Sequence, residues 1–173
     1  MDDVTRRVFG ITGWKNSGKT TLTERLVATL TARGWHVSTV KHAHHAFDID
    51  TEGTDSFRHR QAGAGEVAIV SGKRWALMHE LRGSDEPGLP EILTRLSPCD
   101  IVLVEGYKRE GHLKIEARRR EARSNEPLSA SDPNIVAVAA DHPVHEETIP
   151  VFDLDDIEAI ADFVEKTTNL RKT

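Results

Sequence analysis

Cysteine is nearly absent from this chain. Cys99 is the one thiol in 173 residues. An internal disulfide is therefore excluded, and the usage fits a reducing cytoplasm. No apolar run approaches the ~20 residues of a membrane-spanning helix. The start, Met1-Asp2-Asp3, is acidic and no apolar stretch follows, which predicts no export signal. Positive charge is not in excess. A formal charge of −5 and a pI near 6.0 argue against general nucleic-acid binding. Internal repeats and low-complexity linkers are missing too. What remains is ordinary for a globular protein, with 38% hydrophobic and 29% charged residues, and residues 1–173 read as a single domain with an ample core.

The informative stretch is Gly13-Trp14-Lys15-Asn16-Ser17-Gly18-Lys19-Thr20, which matches G-x-x-x-x-G-K-[ST], a phosphate-binding loop. With average glycine usage a chance match is on the order of 1 in 200, so context decides. Val8 to Thr12 reads as a short buried strand. Thr20 to Arg33 reads as a helix with Leu22, Leu26, Val27 and Leu30 on one stripe and Gly34 just past its end. Strand, glycine loop and helix follow in the order the motif needs. The glycines let successive N–H groups turn toward phosphate oxygens, and the helix start adds its positive end. Lys19 is expected at the β- and γ-phosphates and the Thr20 hydroxyl on Mg²⁺, with Asn16, Ser17 and Thr21 completing the nucleotide site.

Further strands are expected at His36–Lys41, Ile101–Val104 and Ile135–Ala140, and a hairpin at Glu66–Ser71 and Arg74–His79 around Gly72-Lys73. Pro90 opens a helix carrying Ile92, Leu93 and Leu96, and Asp155 or Asp156 caps a last helix bearing Ile157, Ile160, Ala161 and Val164. Alternating strands and helices predict an α/β, doubly wound, mainly parallel sheet of P-loop NTPase type, with helices on both faces and an added β-hairpin. Residues 116–131, rich in charge, serine and proline, read as a mobile surface loop.

A P-loop protein needs an acid near Mg²⁺. Asp100 and Glu105 bracket the apolar run Ile101–Val104, about 16 Å apart at the rise of a strand. Ligands sit beyond the carboxyl ends of parallel strands, which selects Glu105 and leaves Asp100 to cap a turn. The segment after the second strand, Lys41-His42-Ala43-His44-His45 and then Asp48-Ile49-Asp50, reads as a switch-like loop. Lys41 and His42 are candidate anion contacts, and Asp48, Asp50 or Asp55 candidate groups near the metal. A zinc site is the alternative for this segment, but no cysteine pair or helical H-x-x-x-H supports it.

Together, Gly13 to Thr21, Val40 to His45, Asp48 to Asp50, Asp55 to Ala64 and Val104 to Lys108 resemble the MobB family over Val8 to about Asp141. The resemblance implies a GTP-binding protein with feeble GTPase activity and Mg²⁺. It implies a homodimer that assists the guanylyltransferase MobA in joining GMP to molybdopterin, which itself is a candidate contact, and the reducing cytoplasm read from Cys99 suits it. It maps the nucleotide residues onto Gly13, Gly18, Lys19, Thr20 and Thr21 and the acid onto Glu105, with Lys108 and Lys114 near the site. Asn-Lys-x-Asp, the usual guanine-reading string, is absent; Asp141, just past a strand, holds a comparable place, with a turn cap as its other reading. A P-loop small-molecule kinase is the second class considered. Arg118, Arg119, Arg120 and Arg123 would supply its lid, a solvated charge run being their other reading, and no base for a substrate hydroxyl is identifiable.

Overall fold

The computed structural model describes residues 7–43 and 47–171; His44 and His45 of the switch-like segment lie outside them. The elements run β1 (Arg7–Thr12), α1 (Lys19–Ala32), β2 (Val37–Lys41), α2 (Asp55–Gln61), β3 (Glu66–Val70), β4 (Trp75–His79), α3 (Leu89–Arg95), β5 (Ile101–Glu105), β6 (Lys114–Arg118), β7 (Ile135–Ala140), β8 (Val151–Asp153) and α4 (Ile157–Thr167). They fall into two compact units, residues 43–93 and the remainder.

The larger unit holds a six-stranded sheet in the order β2-β5-β1-β6-β7-β8, and every pairing in it is parallel. β5 lies between β2 and β1, and each of its residues is buried, as a continuous apolar run in a parallel sheet should be. β1 is where the winding reverses: the chain leaves it toward β2, and later crosses from β5 to β6 on its other side. The loop after β1 thus opens at the switch point, the ligand position of open parallel sheets.

α1 buries Leu22, Leu26 and Leu30, a stripe at four-residue spacing. Gly34, at a φ of 90°, ends it. α4 is capped by Asp156, whose carboxylate accepts from the Ala159 amide at 3.2 Å, and buries Ile160, Ala161 and Val164. Both helices share one core with Phe9, Ile11, Ile101, Leu103, Ile115 and Ala117. Asp100 caps as expected, its Oδ2 accepting from the His36 amide at 2.7 Å.

One expectation is corrected at its start. Of the stretch expected to be a surface loop, residues 116–118 belong to β6, between β1 and β7, while residues 119–131 carry no helix or strand. Ile115 and Ala117 join the core, while Lys114 and Glu116, facing the other way, are fully buried. Their charges are matched locally, as burial demands. Lys114 Nζ donates to Asp132 Oδ2 at 3.0 Å and to the Glu110 carbonyl at 2.6 Å. Glu116 accepts from the Leu128 and Ser129 amides and from Arg118 Nη2.

The β5-to-β6 crossover, residues 106–113, contains no helix and is shorter than the dozen or so residues usual for a parallel connection. It closes because β6 starts opposite Gly10, near the carboxyl end of β1. Gly10 leaves room for it: a Cβ there would sit 2.5 Å from His112 Nε2 and 2.8 Å from Lys114 Cγ. Burial, reinforced by the Lys114 charge, lowers the His112 pKa to about 4.

In the smaller unit β3 and β4 pair antiparallel, close to the expected hairpin. Val67 opposite Met78 is buried, whereas Val70 opposite Trp75 is exposed.

Candidate functional site

The loop between β1 and α1 has the backbone its glycines foretold. Gly13, Asn16 and Gly18 take φ of 146°, 65° and 91°, left-handed values that asparagine tolerates among non-glycine residues. A Cβ on Gly13 would meet Ser17 Oγ at 2.3 Å and the Ala117 carbonyl at 2.6 Å. Ser17 is almost fully buried and its hydroxyl has no protein partner, an unmet polar group inside an anion-binding turn. Asn16, Ser17, Gly18, Lys19, Thr20 and Thr21 line a groove of about 410 Å³ with Arg119 and Glu121.

Lys19 Nζ donates to the Trp14 carbonyl at 2.7 Å. Its pKa is lowered, first by burial and then by Lys108 and Lys41, against the opposing pull of Glu105. Thr20 Oγ1 donates to Glu105 Oε1 at 3.2 Å. Lys41 Nζ lies 3.8 Å from the same carboxylate oxygen. The His42 amide donates to the Glu105 carbonyl at 2.9 Å, and its ring packs on Tyr107 with centroids 4.7 Å apart. Lys108 Nζ stands 4.9 Å from the centre of the Trp14 ring, a cation–π contact. The structure thus gathers the phosphate loop, Glu105, Lys41, His42 and Lys108 at the carboxyl ends of β1, β2 and β5.

Other candidates have protein partners of their own. Arg60 Nη2 donates to both oxygens of Asp48 at 2.9 Å, its Nε to Asp50 at 3.2 Å and its Nη1 to Glu80 at 3.0 Å. These bonds hold the Asp48 and Asp50 pKa values down, with the Asp50 amide foremost for Asp48 and Ser56 foremost for Asp50. Asp141 lies just past β7. Its Oδ1 accepts from the Arg120 amide at 3.0 Å and sits 2.7 Å from His142 Nδ1. Lys114 is sealed into its pair with Asp132. Among the described residues, no cluster of three or more His, Cys, Asp or Glu could hold a metal ion, and no helix is long and apolar enough to cross a membrane.

Glu121 was not singled out, and Arg119 entered only as one of four arginines of a candidate lid within a run of charge after residue 116. Neither could be placed without knowing that β6 ends beside the phosphate loop.

A parallel sheet with a glycine loop at its switch point and an acid at the end of β5 defines a P-loop NTPase-like α/β protein. More narrowly, the chain belongs to the MobB family. Residues 8–141 match the family described as Molybdopterin guanine dinucleotide synthesis protein B. The chain is 37% identical over 159 residues to the molybdopterin-guanine dinucleotide biosynthesis adapter protein of Escherichia coli K12, covering 91% of this chain and 90% of that protein. It is 39% identical over 161 residues to the Haemophilus influenzae adapter protein, covering 91% and 87%. Among solved structures, a MobB homolog from Bacillus stearothermophilus superposes with a TM-score of 0.71 at 30% identity, covering 95% of this chain and 99% of that one. Bacillus subtilis MobB gives 0.73 at 28% identity, covering 92% and 96%.

Proposed function

We propose that this chain is a GTP-binding adapter in molybdopterin guanine dinucleotide biosynthesis that assists the guanylyltransferase MobA and hydrolyses GTP only weakly. The names of its relatives supply the pathway. The observation that carries the binding chemistry is the approach of Thr20 Oγ1 to Glu105 Oε1 at 3.2 Å, directly after Lys19 in the phosphate loop.

The residues present fit the proposed ligands. Mg²⁺ keeps several waters and needs few protein oxygens; the Thr20 hydroxyl and the Glu105 carboxylate supply them. Bound there, the ion would neutralise charge on the terminal phosphates. Lys19 and the loop amides hold the phosphate chain, and Lys41 and Lys108 raise the local positive potential. Asp141 is the candidate guanine reader. Its Oδ1 is occupied, which leaves Oδ2 to accept from guanine N1–H and the 2-amino group. A homodimer draws support from the exposed Val70, Trp75 and Leu77, three apolar side chains on one face of the hairpin. A cytoplasmic location and contact with molybdopterin belong to the same proposal.

The deciding experiment titrates GTP against ATP with Mg²⁺, and then measures guanine dinucleotide formation by MobA with and without this chain. Tighter GTP binding and faster formation are expected. Equal affinities remove guanine selectivity. Rapid γ-phosphate transfer to a small metabolite without any partner replaces the adapter with a kinase.

A further inference from the structure

The segment after β6 is fastened to the phosphate loop. The Arg123 amide donates to the Lys15 carbonyl at 3.0 Å, and Trp14 Nε1 donates to the Glu126 carbonyl at 2.8 Å. Arg119, on the same segment, lies against Gly18: a Cβ on Gly18 would meet Arg119 Nε at 2.8 Å and Cζ at 3.3 Å. Gly18 therefore serves twice, by its left-handed φ and by the space it leaves for a guanidinium. Arg119 also lines the groove of Ser17, Lys19 and Thr20.

Its neighbours differ. Arg118 spends its Nη2 on Glu116, Ser129 and Glu147. Arg120 is exposed, and its amide is held by Asp141. The Arg119 carbonyl accepts from the Ala122 amide at 3.0 Å, but its guanidinium makes no hydrogen bond or ion pair with the described residues, though its charge is felt at Asp141. A half-buried, unpaired guanidinium on the wall of an anion-binding groove has the planar fork that matches phosphate oxygens. Glu121 shares that wall and would repel a phosphate chain, so Arg119 also offsets its charge.

We propose that Arg119 is a phosphate-binding residue of the groove, a second cation beside Lys19 that contacts the phosphate chain of the nucleotide. The proposal rests on the nucleotide reading above. It assigns to Arg119 a direct contact rather than a share in a solvated charge run.

The test uses the full chain with GTP and with tripolyphosphate, which lacks base and ribose, both in the presence of Mg²⁺. Native protein is compared by calorimetric titration with Arg119→Gln, Arg119→Lys, Arg120→Gln and Lys19→Ala. Arg119→Gln keeps the stem to Cδ, which a Cβ on Gly18 would meet at 3.4 Å, and removes the guanidinium and its charge. It is expected to weaken both probes about tenfold or more and to flatten the salt dependence of tripolyphosphate binding. Arg119→Lys should fall between it and native, and Arg120→Gln should match native. Should Arg119→Gln fail to fold, judged by its thermal transition without ligand, Arg119→Met, which keeps length and removes the charge, decides: unchanged affinity for tripolyphosphate overturns the contact. If Lys19→Ala loses affinity while Arg119→Gln keeps it, the nucleotide site stands and this proposal falls. Weaker GTP binding with tripolyphosphate untouched also overturns it, by moving Arg119 to the nucleoside. A native chain that binds neither probe overturns both readings.

Discussion

Thr20 Oγ1 donates to Glu105 Oε1 across 3.2 Å, which joins the first turn of α1 to the carboxyl end of β5. Asp100, at the other end of the same strand, accepts instead from the His36 amide. Glu105→Gln should therefore weaken the Mg²⁺ dependence of nucleotide binding, and Asp100→Asn should leave it intact. A Mg²⁺ titration of both variants checks the assignment, and the reverse pattern would overturn the choice of acid.

Lys19→Ala should remove most nucleotide affinity. The variant deletes the loop's charged contact to the phosphates, worth about 1.5–3 kcal/mol, or about ten- to hundredfold in Kd. Calorimetric titration with GTP measures it. An unchanged Kd would mean that this loop does not hold phosphate.

His112 links stability to acid. Its folded-state pKa is about 4, below the ordinary 6.5, so the unfolded chain binds the proton first as pH falls. Its contribution is full above pH 6.5 and drains away down to about pH 4. The loss is roughly 3 kcal/mol at most, from the size of the shift. His112→Gln removes this titration. The native protein should therefore lose more thermal stability than the variant between pH 7 and 4, although carboxylates titrate in both. Parallel curves would show that His112 protonates freely in the folded protein.

The exposed apolar hairpin face gives a test of association. Trp75→Lys places a charge beside Val70 and Leu77, where Trp75 and Leu77 are 68% and 46% exposed. Sedimentation should show the dimer shifting toward monomer while GTP binding persists. A dimer of native strength in the variant would exclude this face as its interface.

The parts of the site legible in the sequence were those with local causes. β1, the glycine loop and α1 are contiguous, so spacing alone ordered them. Glu105 could be chosen over Asp100 because parallel strands present ligands at one end only. β6 escaped because Lys114-Ile115-Glu116-Ala117-Arg118 shows no apolar run. Its polar members are buried only because Asp132, Leu128 and Ser129 come back to meet them. The pairing of Asp48 and Asp50 with Arg60 was not visible either, because the fold brings Arg60 to them. Arg119 was hidden for the same reason: a charge run does not show which member turns toward Gly18.

The final prediction concerns turnover. Fast phosphoryl transfer needs a positioned nucleophile and an extra positive group on the transition state. Arg60, which with Arg58 could be supplied as a finger only across a dimer, is committed to Asp48, Asp50 and Glu80. Freeing it would strip three carboxylates of their partner. Gln61, the chain's one glutamine, ends α2 in the smaller unit. Arg119 lines the groove, but no glutamine lies among the described residues of the larger unit to orient a water there, which favours holding nucleotide over cleaving it. Alone, the protein should release phosphate from GTP far more slowly than the roughly 10 s⁻¹ of a typical enzyme. Arg60→Ala should lower the thermal midpoint without lowering that slow rate further. A steady-state phosphate-release assay on folded protein measures the rate, and thermal unfolding followed by circular dichroism measures the midpoint. If Arg60→Ala abolished a measurable GTPase while leaving the thermal midpoint unchanged, Arg60 would be the finger after all and its carboxylate partners only a resting place.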